Sequence, residues 1–152
     1  MRVAVLVAPL VFAAVALHAF AEDGKSVAGP IDAEVVRVVD GDTLEVRARI
    51  WLGQELDTHV RIAGIDAPEM HARCPRERSL AEEARGTLER SLASGHVQLR
   101  DVRNDKYGGR VRADVVLDDG RSAAEVMLRS GLVRHYEGGT RQPWCSDSEA
   151  RR

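Results

Sequence analysis

The apolar residues of this chain change period twice, and that change limits the folds open to it. Val35-Val36-Arg37-Val38-Val39 is a β-branched run, Leu44 to Ile50 alternates strictly, and Val60 and Ile62 are spaced by two within Thr58 to Ile65. Alternation of this kind predicts strands with one face in a core and one in water. Leu80, Ala84, Leu88 and Leu92 then recur every fourth residue, which predicts a helix from Ser79 to Ser94 stopped at Gly95. Val97 to Val102 and Val111 to Leu117 return to strand character. A second helix is expected from Ser122 to Ser130, ended by Gly131.

Asp40-Gly41-Asp42 between the first two strands is a hairpin signal, and Asp119-Gly120 marks another turn. Five strands, with helices after the third and the fifth, fit a β-rich α+β fold: a five-stranded, OB-type Greek-key barrel with two or three packed helices. At 152 residues the chain is long enough for one domain with a substantial core. Residues 31–136 are expected to form it. Residues 22–30, with Gly24, Gly29 and Pro30, read as a flexible leader, and residues 137–152 as a surface tail.

Arg2, an apolar run from Val3 to Leu17 and Ala19-Phe20-Ala21 have the three parts of a secretory signal, with cleavage after Ala21; an uncleaved anchor is the alternative. The expected location is therefore exported, periplasmic or secreted, without stable membrane association after cleavage. The net formal charge of −2 becomes one unit more negative without Arg2. Long-range attraction to a polyanion is then weak, so any nucleic acid must be held by a local basic cluster. Cys74 and Cys145 read as one disulfide in an exported chain, or as two free thiols, or as one used for oligomerisation. Neither cysteine has a partner at zinc-ligand spacing. A monomer is the default.

Three segments concentrate acidic and planar cationic groups: Val39 to Thr43, Val60 to Glu69, and Asp105 to Arg110. Each alone has an ordinary reading as a hairpin turn, a proline-bent strand exit or a glycine turn. Together they lie at the ends of neighbouring strands, where a barrel can converge them. Asp42 and Asp66, with a carbonyl such as that of Ala67 and waters, make an all-oxygen set suited to Ca2+, bound on the order of 10⁻⁴ to 10⁻³ M. Glu69 would be free to act on water, and Arg61 and Arg110 present donor forks that match phosphate oxygens. These are the parts of an in-line displacement at phosphorus.

The same residues resemble the thermonuclease family, the staphylococcal nuclease-like fold. Val39-Asp40-Gly41-Asp42-Thr43, Val60-Arg61 with Gly64 to Glu69, and Asp105-Lys106-Tyr107-Gly108 with Arg110 are similar to its three signature segments in order, within a likeness from Ala33 to Val133. The resemblance implies an OB-type barrel and calcium-dependent hydrolysis of DNA and RNA, single-stranded by preference, at the 5′-oxygen side to leave 3′-phosphate ends. It assigns Asp42, Asp66 and the Ala67 carbonyl to calcium, Glu69 to the general base, Arg61 and Arg110 to the transition state, and Lys106 and Tyr107 to a terminal phosphate. The chain departs in Ala67, where some members carry threonine, and in Gly109, an extra residue before Arg110. It also departs in a short tail, where a Cys74–Cys145 bridge would stand in for a terminal helix. Two other functions remain open to this sequence: a non-catalytic OB module that binds single strands, and a structural role in the cell envelope.

Overall fold

The structure is a computed structural model that describes residues 26–146. The proposed signal, residues 1–21, and the last six residues of the tail lie outside the described residues. The elements in chain order are β1 (Ser26–Val27), β2 (Ile31–Asp40), β3 (Thr43–Trp51), β4 (Gln54–Ile62), β5 (Ile65–Asp66), α1 (Pro75–Ser91), β6 (His96–Asn104), β7 (Arg110–Leu117), α2 (Ala123–Ser130) and β8 (Arg134–His135).

Five of the strands close on themselves. β3 pairs antiparallel with β2 and β4, β4 runs parallel to β7, and β6 pairs with both β7 and β2. The result is the expected five-stranded, OB-type barrel with two helices packed on it. Closure needs curvature, and β2 supplies part of it through register shifts at Val35/Arg37 and Val38/Asp40. The first shift also explains why Val36 is exposed inside an apolar run. Leu44, Val46, Val60, Ile62, Ile65, Leu88, Leu99, Val115 and Met127 fill the core.

Several boundaries differ from expectation. β4 begins at Gln54 rather than Thr58, because β3 and β4 continue past the core as a two-stranded ribbon. Its Gln54-Glu55-Leu56-Asp57 stretch has no core face to produce an apolar period; backbone pairing and the Arg47–Asp57 ion pair hold it. α1 begins at Pro75 rather than Ser79, with Cys74 as its N-cap and proline in the first turn, where a missing N–H costs nothing. Within the stretch expected as a leader, Ser26 and Val27 pair with Val102 and Arg103 as β1. α2 matches its expected span, ending on Gly131 in the left-handed region at φ 74°.

Two features of the fold place the functional segments. Gly41 is buried at the β2–β3 turn, where an added Cβ would lie 2.7 Å from the Ala84 Cβ of α1 and 2.9 Å from the Ala67 Cβ. The turn therefore abuts both the helix and the strand exit. β5 and β8 form a separate two-stranded sheet pairing Ile65 with His135 and Asp66 with Arg134, which brings the tail beside Asp66. The tail is fixed again where Cys145 is bonded to Cys74.

Gly41→Ala should overpack this junction and lower stability by about 1–3 kcal/mol, read from the urea midpoint by circular dichroism. An unchanged midpoint would show that the turn is not pressed against α1 and Ala67.

Candidate active site

The β2–β3 turn delivers Asp42 into the interior, only 3% exposed. A carboxylate there must be partnered on every side. Its Oδ1 accepts from the Thr43 hydroxyl at 2.9 Å, and its Oδ2 accepts from Arg61 Nη1 at 2.5 Å and from the Ala67 amide at 3.0 Å. Register explains the Arg61 contact, since Thr43 lies opposite Arg61 on β4. Arg61 also donates through Nη2 to the Ile65 carbonyl at 3.0 Å, and the same nitrogen is 3.6 Å from Asp66 Oδ1. One guanidinium thus ties the hairpin to the strand exit, with the Tyr136 ring 5.7 Å away.

Asp66 is also 3% exposed. Its Oδ2 accepts from Trp144 Nε1 at 3.3 Å. Its Oδ1 is fully buried without an aligned hydrogen bond, although Arg141 Nε is 2.5 Å away as an ion pair. Arg141 belongs to the tail, and its other nitrogens donate to the Ala67 carbonyl at 3.0 Å and to Glu69 Oε1. The Arg141 side chain is 38% exposed. Burial works against its charge, but the hydrogen bond to Glu69 and the charges of Asp66 and Glu69 outweigh that and hold it above the ordinary arginine value.

Arg110 opens β7, and β7 runs parallel to β4 with Arg110 opposite His59, two residues from Arg61. Its Nε donates to Asp105 Oδ2 at 2.6 Å. The turn closes through the Asp105 amide to the Arg110 carbonyl, and the extra Gly109 takes φ +78° within it. Lys106 and Arg110 both lie 5.1 Å from the Tyr107 ring centroid.

Asp42, Arg61, Glu69, Lys106, Tyr107 and Arg110 line one cavity of about 190 Å³, together with Asp40, Thr43, Tyr136 and Arg141. Asp66 and Ala67 do not reach its wall; Arg141 and Trp144 lie over them. The donors nonetheless fit a hard divalent cation in kind: Asp66 Oδ1 is a buried carboxylate oxygen that accepts no hydrogen bond, and the Ala67 carbonyl next to it in sequence accepts from the same Arg141 that pairs with it. Cys74, Glu77 and Cys145 cluster within 4.8 Å, but the two sulfurs are bonded to each other and offer no thiolate to a metal.

Sequence reasoning did not assign Asp40, Tyr136 or Arg141 to the site. Asp40 stood in the first acidic turn, where its ordinary role as a turn residue hid it. Burial, then the adjacent Asp42 charge and that of Glu69, push its carboxyl up to about 7. Arg141 carried no local signal, because only the β5–β8 pairing and the disulfide bring the tail to Asp66.

Comparison with known proteins agrees with this geometry. The chain is 29% identical over 107 residues to an uncharacterized endonuclease of Escherichia coli, which covers 70% of the chain and 62% of that relative. It is 30% identical over 112 residues to endonuclease Htp3 of Saprolegnia parasitica, covering 67% of the chain and 52% of that relative. It is 35% identical over 75 residues to Protein ParB of Escherichia coli, covering 49% of the chain and 36% of that relative. The chain therefore spans less than two thirds of the length of these curated relatives. The family model described as staphylococcal nuclease homologue matches residues 59–150, from mid-β4 through the disulfide, and with more than half of the sequence inside that match the chain belongs to this family.

Proposed function

We propose that this chain is a calcium-dependent nuclease that hydrolyses phosphodiester bonds of DNA and RNA, single-stranded by preference, at the 5′-oxygen side to leave 3′-phosphate ends. The observation that carries the reading is the convergence of Glu69, Arg61 and Arg110 on one cavity beside Asp42. Endonuclease-named relatives and the family match support the same chemistry.

The side chains divide the work by how firmly each is held. Arg61 is fixed by Asp42 and the Ile65 carbonyl, and Arg110 by Asp105, so both forks are oriented before a phosphate arrives. Glu69 is half exposed on the same cavity, placed to take a proton from water as the water oxygen bonds to phosphorus and the bond to the 5′ oxygen breaks. Lys106 and Tyr107, exposed at the edge, suit a terminal phosphate. Ca2+ held by Asp42, Asp66 and the Ala67 carbonyl would supply Lewis-acid polarisation of a phosphoryl oxygen. We further propose that residues 1–21 direct export and that residues 31–136 form a monomeric nuclease domain; a disulfide fits an oxidising compartment.

Purified chain incubated with heat-denatured DNA should cleave it with calcium and stop on chelation; tight binding with intact strands would instead favour a non-catalytic module. Glu69→Gln should lower the rate about 10²- to 10⁴-fold with nucleotide binding retained, and full turnover in that variant would remove Glu69 as the base. Arg110→Ala should weaken nucleotide binding and also lower the rate by about 10²- to 10³-fold.

Asp40 gives a pH test in chelator. Its folded pKa near 7 exceeds the ordinary 3.8, so its contribution to stability is complete below 3.8 and is lost as pH rises through 7. Asp40→Asn should therefore flatten the fall in Tm over that window and leave the variant more stable than the parent at pH 8. Parallel Tm profiles would show that Asp40 is not held protonated.

A further inference from the structure

One guanidinium from the tail holds the same oxygens that the cation would need. Arg141 meets Asp66 Oδ1, the Ala67 carbonyl and Glu69 Oε1, which are two of the three proposed ligands and the proposed base. A divalent ion bound to Asp66 Oδ1 would sit roughly 2.3–2.6 Å from it. Arg141 Nε already lies 2.5 Å from that atom. Two like charges cannot share one carboxylate oxygen at these separations without strong repulsion. Glu69, drawn into the same pair, is also less able to act on water.

The tail around this contact is anchored at both ends and held lightly between them, by Tyr136 Oη donating to the Gly139 carbonyl at 2.8 Å and Arg134 to the Pro143 carbonyl at 3.3 Å. Its two ends are fixed, by the pairing of β8 with β5 and by the Cys74–Cys145 bond. The span between them contains Gly138 and Gly139 at φ +108° and +91°, with nothing within 4 Å of an added Cβ at either. Arg141 is the one cationic residue of residues 136–144, and its side chain is more than one-third exposed, which leaves open solvent on one side of it. Trp144 lies over the Arg134 guanidinium at 3.7 Å and donates to Asp66, so it lies within reach of any change in the carboxylate.

We propose that Arg141 is the resident counter-cation of the metal-free site, and that a divalent cation binds by displacing it. This rests on the metal reading of Asp42, Asp66 and Ala67 given above. The disulfide then sets the strength of the competition, because it keeps the guanidinium at high local concentration beside its acceptors. Opening the bond lets the tail leave and favours the cation.

The test is calcium chloride titrated by calorimetry into the intact chain, its Arg141→Gln variant and the parent under reductant. A Trp51→Phe background leaves Trp144 as the sole tryptophan for a parallel fluorescence titration, since the chain has two. Arg141→Gln should bind calcium about tenfold tighter or more, as expected when a competing state is removed. Reduction, or Cys145→Ser, should shift affinity the same way by less, and calcium should change Trp144 emission and speed hydrogen exchange in residues 138–143 of the parent. Equal or weaker binding by Arg141→Gln, abolished by Asp66→Asn, would overturn displacement while leaving the metal site intact. Absence of calcium binding in every form would overturn both readings. Cleavage that persists in chelator and vanishes in Arg141→Gln would also overturn displacement, since the guanidinium would then serve in the cation's place.

Discussion

Two carboxylates buried at 3% exposure are the constraint around which this molecule is arranged. Taking such a charge out of water costs several kcal/mol unless its oxygens are paired and hydrogen-bonded. Asp42 is answered by Thr43, Arg61 and the Ala67 amide, and Asp66 by Arg61, Arg141 and Trp144. Those partners come from a hairpin turn, a strand, a strand exit and the tail. Satisfying the two acids therefore obliges four distant pieces of chain to meet, and the cavity is what their meeting encloses.

The barrel supplies the precision of that meeting. Arg61 and Arg110 stand on adjacent parallel strands, a pairing that exists only because the sheet closes. Gly41 lets the acidic turn approach α1 and Ala67 more closely than any side chain would permit. The exposed Trp51 and Leu52 at the far end of the β3–β4 ribbon lie outside this arrangement, at the opposite end of β3 from Thr43.

Periodicity made the scaffold legible wherever a segment had one wet and one dry face. Leu44, Val46 and Ala48 alternate inward as read, and Ala84, Leu88 and Leu92 are buried as a helix stripe requires. It failed where no core face exists, as in Gln54 to Asp57, or where charge covers the first turn of a helix, as at Arg76 to Arg78. Asp42, Arg61, Glu69 and Arg110 on the cavity wall were legible because three motifs carried them, whereas Asp40 was hidden by its turn role and Asp66 lies beneath the wall rather than on it. Arg141 and Tyr136 were not, since their place depends on a two-residue pairing and a long-range covalent bond that no local pattern encodes.

The closing of β6 against β2 and β7 has one more implication. Asp42 finds Thr43, Arg61 and the Ala67 amide within the first three long strands and the strand exit, whereas Arg110 and Arg141 reach the cavity only through β7 and the tail. Synthesis from the amino terminus therefore supplies the Asp42–Arg61 pair before the Arg110 that shares its cavity. The full set of groups around the cavity is thus assembled only with the final contacts of folding, and a chain cut before Arg110 or Arg141 lacks part of it.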